Sequence, residues 1–212
     1  MWPPRSLILD ALLITDFQND FTPGGALAVE GGDEIGEPIN RLADRFELVV
    51  ATRDWHPEDH GSFVGVEVDV DEWEGTDPPG IWPVHCVAGT EGARLHSSLD
   101  QSKVDLVLDK GQSPNSQGYS SFHGSGLAEA LRERGVVRVY VTGLTTDYCV
   151  KNTVLDALRE GFEVTVVVDA IRAVNVNPGD GDRALEEMKA AGAGLATSDY
   201  VLASLTPLRS DR

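Results

Sequence analysis

The chain is poor in sulfur and in lysine. Of its 212 residues only two are cysteine, Cys86 and Cys149. Two cysteines in a chain of this size do not make a disulfide framework, so each thiol is read alone and a reducing compartment is expected. Only four of the 17 cationic residues are lysine, against 35 acidic residues, and the formal net charge is −18. Such a surface repels nucleic-acid phosphates and anionic lipid, so neither is an expected partner. An acidic, lysine-poor surface suits an ordinary cytosolic protein and a protein of high-salt surroundings equally well. No apolar run reaches the length of a membrane span, and Met1–Ser6 lacks the apolar segment of a secretory leader. The expected location is the cytoplasm.

What is present is enough apolar material for a sizeable core. The hydrophobic share is 41%, which suits one domain covering residues 1–212. The most informative stretch is Thr142–Gly161, TGLTTDYCVKNTVLDALREG. The β-branched run VVRVYVTG before it predicts a buried strand. After it, Val150, Val154, Ala157 and Leu158 recur at helical spacing, and Gly161 stands where a helix ends. Cys149 therefore falls at the first turn of a helix, where free N–H groups and partial positive charge ease loss of a thiol proton. The same groups could receive an oxyanion. Most lone cysteines are small buried hydrophobes, and on this stretch alone both readings stand.

Strands are predicted at 11–15, 47–52, 104–108, 136–143, 162–168 and 193–197. Helices are predicted at 33–46, where Asp33 is the expected cap, at 126–134, after Cys149, and at 178–191. The alternation predicts an α/β fold with one six-stranded, mostly parallel sheet flanked by helices. Asp16, Asp54, Lys110 and the Cys149 turn all leave strand C-termini, which share one edge of a parallel sheet, the edge where ligands bind. Asp54 and His56 alternate and so point the same way on extended backbone. With His85 they offer three convergent metal ligands. A solvated or hydrogen-bonded side chain is the plain alternative for each. Cys86, His96 and His123 read as structural. The stretch 61–80 is long, acidic and rich in Gly and Pro, a pattern of functional or mobile loops.

Taken together, ALLITDFQNDFTPGGAL, TRDWHPEDHGSF, WPVHCVAGTEGA, LDKG, TGLTTDYCVKNTVLDA and RAVNVNPGDGDRALEEM resemble the nicotinamidase/pyrazinamidase branch of the isochorismatase-like hydrolases. The resemblance runs from about Leu12 to Leu195. It implies a catalytic triad of Asp16, Lys110 and Cys149, and metal ligands Asp54, His56 and His85, with His60 as a further candidate. It implies an aromatic clamp of Phe21 and Trp82 around a pyridine ring, substrate contacts at Leu144 and Thr145, and a cis peptide between those two residues. The implied cofactor is one divalent metal ion, zinc first, with iron or manganese as alternatives. The implied reaction is hydrolysis of nicotinamide, and of pyrazinamide, to the acid and ammonia through a cysteine thioester, within NAD salvage. Two features depart from the pattern: Thr145 stands where Ala is common, and the acidic insert 65–80 does not match it. The rival within the superfamily is a cysteine amidohydrolase of carbamoyl or ureido compounds. An isochorismatase, a hydrolase using metal-bound water alone, and a non-catalytic binding module are rivals from further off. Self-association into a homo-oligomer is left open.

Overall fold

A computed structural model describes residues 9–205; Met1–Ser6 lies outside them. Six strands form one sheet: β1 Leu9–Thr15, β2 Leu48–Asp54, β3 Leu106–Lys110, β4 Val136–Leu144, β5 Glu163–Arg172 and β6 Gly194–Ala196. Five α-helices accompany them: α1 Gly36–Ala43, α2 Leu127–Glu133, α3 Lys151–Arg159, α4 Asp180–Ala190 and α5 Ser198–Ser204. Every strand pair is parallel, in the order β3-β2-β1-β4-β5-β6.

β1 is covered on both faces, which is why LDALLIT reads as an apolar run and not as an alternation. Its successive side chains still point to opposite sides. Leu12 and Ile14 join Ile39 and Leu42 of α1 and Val201 of α5 in one core. Ala11 and Leu13 join Leu131 of α2, Val154 and Ala157 of α3 and Met188 of α4 in the other.

The strand order places the site. From β1 the chain steps outward to β2 and β3, then returns to the opposite flank of β1 as β4. Loops leaving β1 and β4 therefore diverge, and a crevice opens between them at the C-terminal edge. Strands β1 and β4 meet very closely there. Gly143 pairs with Thr15, has φ +112°, and a Cβ on it would stand 1.9 Å from the Thr15 carbonyl oxygen. Only glycine meets both demands.

Several elements differ from expectation. The predicted helix 33–46 divides into a 3-10 turn, Gly32–Ile35, and α1. Asp33 caps neither piece. Gly36 packs so tightly on Ser98 that a Cβ would lie 2.3 Å from its hydroxyl oxygen. Pro38 sits in the first turn of α1, where its missing N–H costs nothing. β3 starts two residues later than predicted, so Lys110 is its last residue. α5 was not expected; Thr197 caps it by accepting from the Tyr200 N–H, and Ser198 donates from its hydroxyl to Asp169. Among the described residues no helix is long and apolar enough to cross a membrane.

Candidate active site

The crevice gathers buried charge. Asp16 follows β1, Asp54 ends β2, and Lys110 ends β3. Cys149 lies in a π-type turn, Thr146–Val150, that runs into α3. The Lys110 ammonium lies 2.9 Å from Asp16 Oδ2 and 2.5 Å from Asp54 Oδ1. It also donates to the Gly118 carbonyl at 2.9 Å and stands 3.7 Å from Cys149 Sγ. Asp16 and Lys110 are 0% and 1% exposed, so these charges depend on each other and not on water.

Burial opposes the charge on Lys110, but Asp16, Asp54 and Cys149 overcome it and hold the ammonium well above its ordinary pKa. Asp54 is likewise opposed by burial, yet Lys110 and the neighbouring imidazoles hold it below the usual carboxylate range. Asp16 behaves differently. Burial pushes its carboxyl up to about 6, with Lys110 offsetting only part of that effect. Its Oδ1 accepts from the Thr52 hydroxyl at 2.8 Å. Its Oδ2 faces the Lys110 ammonium at 2.9 Å and has no aligned hydrogen bond. Burial raises the Cys149 thiol well above its ordinary value, against the pull of Lys110. The resting group is a thiol beside a base, and the sulfur becomes nucleophilic as its proton leaves.

Asp54 also belongs to a second cluster. Its carboxylate and one ring nitrogen each of His56 and His85 lie within 4.8 Å of one another. His56 Nδ1 lies 2.8 Å from the Gly111 carbonyl and His85 Nδ1 lies 2.7 Å from the Pro83 carbonyl. Carbonyls only accept, so each Nδ1 carries the hydrogen and each Nε2 keeps a lone pair for a metal. Gly111, at φ +66°, makes the first contact possible, since a Cβ there would sit 2.5 Å from the His56 ring. Burial holds the His85 imidazole down to about 4, so it is neutral at pH 7. A carboxylate and two imidazoles suit a borderline divalent cation. His60 stacks on His56 with ring centroids 3.9 Å apart but is not one of the three convergent ligands. Its Nε2 is buried without a partner.

Phe21, Trp82, Asp54, His85, Thr145 and Cys149 line one narrow cavity. Phe21 approaches the His85 ring at 5.6 Å. The peptide between Leu144 and Thr145 is cis. Leu144 itself departs from expectation. Its side chain is 0% exposed and packs in the core with Phe21 and Ile35, because the last residue of β4 turns inward. Thr145 lines the cavity; the Leu144 side chain does not.

Other residues were not foreseen. Gln18 pairs with the Asp54 backbone in both directions, donating from Nε2 to its carbonyl and accepting its N–H at Oε1, each at 2.8 Å. Asp20 accepts the Cys86 N–H at 2.7 Å and so holds the backbone next to His85. Leu27, Tyr119, Tyr148 and Val174 complete the cavity wall. Gln18 and Asp20 stand in a polar run between apolar residues, which is the only sign the sequence offers of them.

The isochorismatase domain family matches residues 10–199 of the chain. The chain belongs to this family. It is 46% identical over 208 residues to the nicotinamidase of Escherichia coli, covering 92% of this chain and 95% of that protein. A crystal structure of the pyrazinamidase of Pyrococcus horikoshii in complex with zinc is 43% identical, with TM-score 0.77 over 89% of this chain and 98% of that one. The PnC1 protein of L. infantum in complex with nicotinate is 37% identical, with TM-score 0.80 over 91% and 94% of the two chains.

Proposed function

We propose that the chain, working as one domain, hydrolyses nicotinamide to nicotinate and ammonia, and pyrazinamide likewise. The observation that carries this reading is the convergence of Asp16, Lys110 and Cys149 beside Asp54, His56 and His85 at one sheet edge. The similarity to proteins named for nicotinamide and pyrazinamide, along most of each chain, supports the substrate. Asp54, His56 and His85 would hold one divalent metal, with zinc favoured by the ligand set. Bound there, the metal would supply a Lewis-acid contact for the ring nitrogen and so orient the carboxamide. His60 would support His56 by stacking on it.

Phe21 and Trp82 hold the ring, and Thr145 closes the cavity near the amide. Asp16 Oδ2 takes the Cys149 proton as Sγ bonds to the amide carbon, and the carbonyl electrons move to oxygen. The backbone N–H groups of Thr145 and Cys149 receive that oxyanion; such a donor typically contributes about 2.7–4 kcal/mol. The C–N bond then breaks, the nitrogen takes the proton from Asp16, and ammonia leaves a thioester. Water attacks the thioester carbon while Asp16 takes a proton from it. The C–S bond breaks, and the acid is released with the thiol restored. Lys110 stays protonated throughout, steadying Asp16 and the departing thiolate charge.

The test is ammonia release from nicotinamide with benzamide as the control, before and after chelation. Benzamide keeps the carboxamide and lacks the ring nitrogen. Turnover of nicotinamide alone, lost on chelation and restored by metal, is the expected result. Cys149→Ala should abolish turnover while the metal content stays unchanged. Equal turnover of both amides, or appreciable turnover by Cys149→Ala, would overturn the reading.

A further inference from the structure

The acidic insert has no role in the chemistry above, yet it is firmly seated against the cavity. The Glu74 N–H donates to the Asn115 carbonyl at 2.7 Å, and the Gln117 N–H returns a bond to the Glu74 carbonyl at 2.9 Å. Gln117 Oε1 accepts the Thr76 N–H at 2.8 Å, and Trp73 Nε1 donates to the Asp77 carbonyl at 2.8 Å. Gly75 lies so close beneath that a Cβ would stand 2.8 Å from Trp73 Nε1 and 2.9 Å from Gln117 Oε1. These contacts deliver one side chain to the cavity wall. Asp77 Oδ2 accepts the Tyr119 hydroxyl at 3.0 Å, and the Tyr119 oxygen accepts the Trp82 indole N–H at 2.9 Å.

We propose that Asp77 is a positioning residue for the aromatic clamp: through Tyr119 it fixes the plane of the Trp82 ring, so the insert tunes affinity for flat heteroaromatic amides. This rests on the function proposed above. Trp82 is 8% exposed, and a buried indole N–H without a partner is costly. Tyr119 satisfies it with a lone pair while spending its own hydrogen on a carboxylate, the stronger kind of acceptor. Burial above all pushes the Tyr119 phenol above its ordinary pKa, so the hydroxyl keeps the hydrogen that it donates. Trp82 and Tyr148 also meet in a T-shaped contact, with ring centroids 4.9 Å apart, and Tyr148 lies 5.3 Å from the Tyr119 ring. Tyr119 and Tyr148 thus both bear on the Trp82 ring. Tyr119 and Tyr148 both line the substrate cavity and the outer polar cleft that Asp77 also borders.

The test is a double-mutant cycle on the metal-loaded protein, read by steady-state kinetics on nicotinamide and by tryptophan-fluorescence titration with nicotinate. Asp77→Ala should raise KM and the nicotinate Kd about tenfold, the scale of one lost hydrogen bond, with kcat little changed. Asp77→Asn keeps an acceptor and should restore most of the affinity. In a Tyr119→Phe background Asp77→Ala should add nothing further. A merely structural loop would show no such coupling. An unchanged KM, a fall in kcat alone, or an equal effect of Asp77→Ala in both backgrounds would overturn the proposal. If Asp77→Ala loses its fold, Asp77→Asn with Tyr119→Phe completes the same cycle, with an expected effect of about threefold. Failure of the wild-type protein to release ammonia from nicotinamide would sink the functional reading. Wild-type turnover with an insensitive Asp77 would sink only this inference.

Discussion

Lys110→Met removes one charge and almost no volume. The ammonium stands 3.7 Å from Cys149 Sγ. At an effective dielectric constant of about 20, an ammonium and a thiolate at that distance attract by about 4.5 kcal/mol. Losing that attraction lowers the thiolate fraction at fixed pH roughly a thousandfold. The second consequence acts in the same direction. Asp16 and Asp54 would be left as two buried carboxylates without their shared cation, so Asp16 would rise beyond about 6 and hold its proton at neutral pH. The base and the nucleophile fail together, and kcat should fall by at least about a thousandfold. Ammonia release measures the loss, and the pH dependence of iodoacetamide alkylation measures the thiol directly. Its midpoint should move to higher pH in the variant. Thermal melting and metal content establish that the variant is folded and loaded. A folded, metal-loaded Lys110→Met within tenfold of wild-type kcat, or with an unmoved alkylation profile, would refute the argument.

Three further outcomes are expected. Asp16 must be ionised to accept the thiol proton, and burial sets it at about 6. kcat/KM should therefore decline below about pH 6, approaching about tenfold per pH unit; a flat rate profile down to pH 5 would count against Asp16 as the base. Gly143→Ala should destabilise the protein by several kcal/mol, since its Cβ would overlap the Thr15 carbonyl at a positive φ; urea melts of that variant matching wild type would contradict the close approach. With a net charge of −18, self-repulsion should relax as the Debye length shrinks from about 30 Å at 0.01 M salt to about 3 Å at 1 M. The melting temperature should rise across that range, and a constant value would remove the case for a high-salt protein.

The strands were legible because a parallel sheet covered on both faces writes itself as apolar runs, as ALLIT and VVRVYVTG do. The site was legible because its chemistry hangs on strand ends, which the sequence marks by a change from apolar to polar residues. Asp54, His56 and His85 on one side, and Asp16, Lys110 and Cys149 on the other, come together as their positions suggested. What escaped were contacts set by tertiary packing. The break ahead of α1 comes from Gly36 meeting Ser98, a residue 62 positions away. The inward turn of Leu144 follows from how β4 ends, not from the composition of its motif. The Gln18 brace and the Asp77–Tyr119–Trp82 chain join loops that no local pattern connects. His60 shows the converse limit. The family resemblance implied it as a further ligand candidate, and in the structure its ring lies against His56, with centroids 3.9 Å apart.

The parallel sheet also has a consequence for how the chain is made. β1 leaves the ribosome well before one of its two neighbours, β4, which sets Tyr140 opposite Leu12. At about 5–20 residues per second, β1 waits on the order of ten seconds for that partner. During that interval LLIT has β2 on one side and an open edge on the other, the arrangement most prone to pairing with a foreign strand. The crevice is incomplete until the Cys149 turn has been synthesised. The nascent chain thus carries β1 with one edge unpaired until β4 emerges, and soluble yield should depend more on chaperone supply during translation than on the stability of the finished fold.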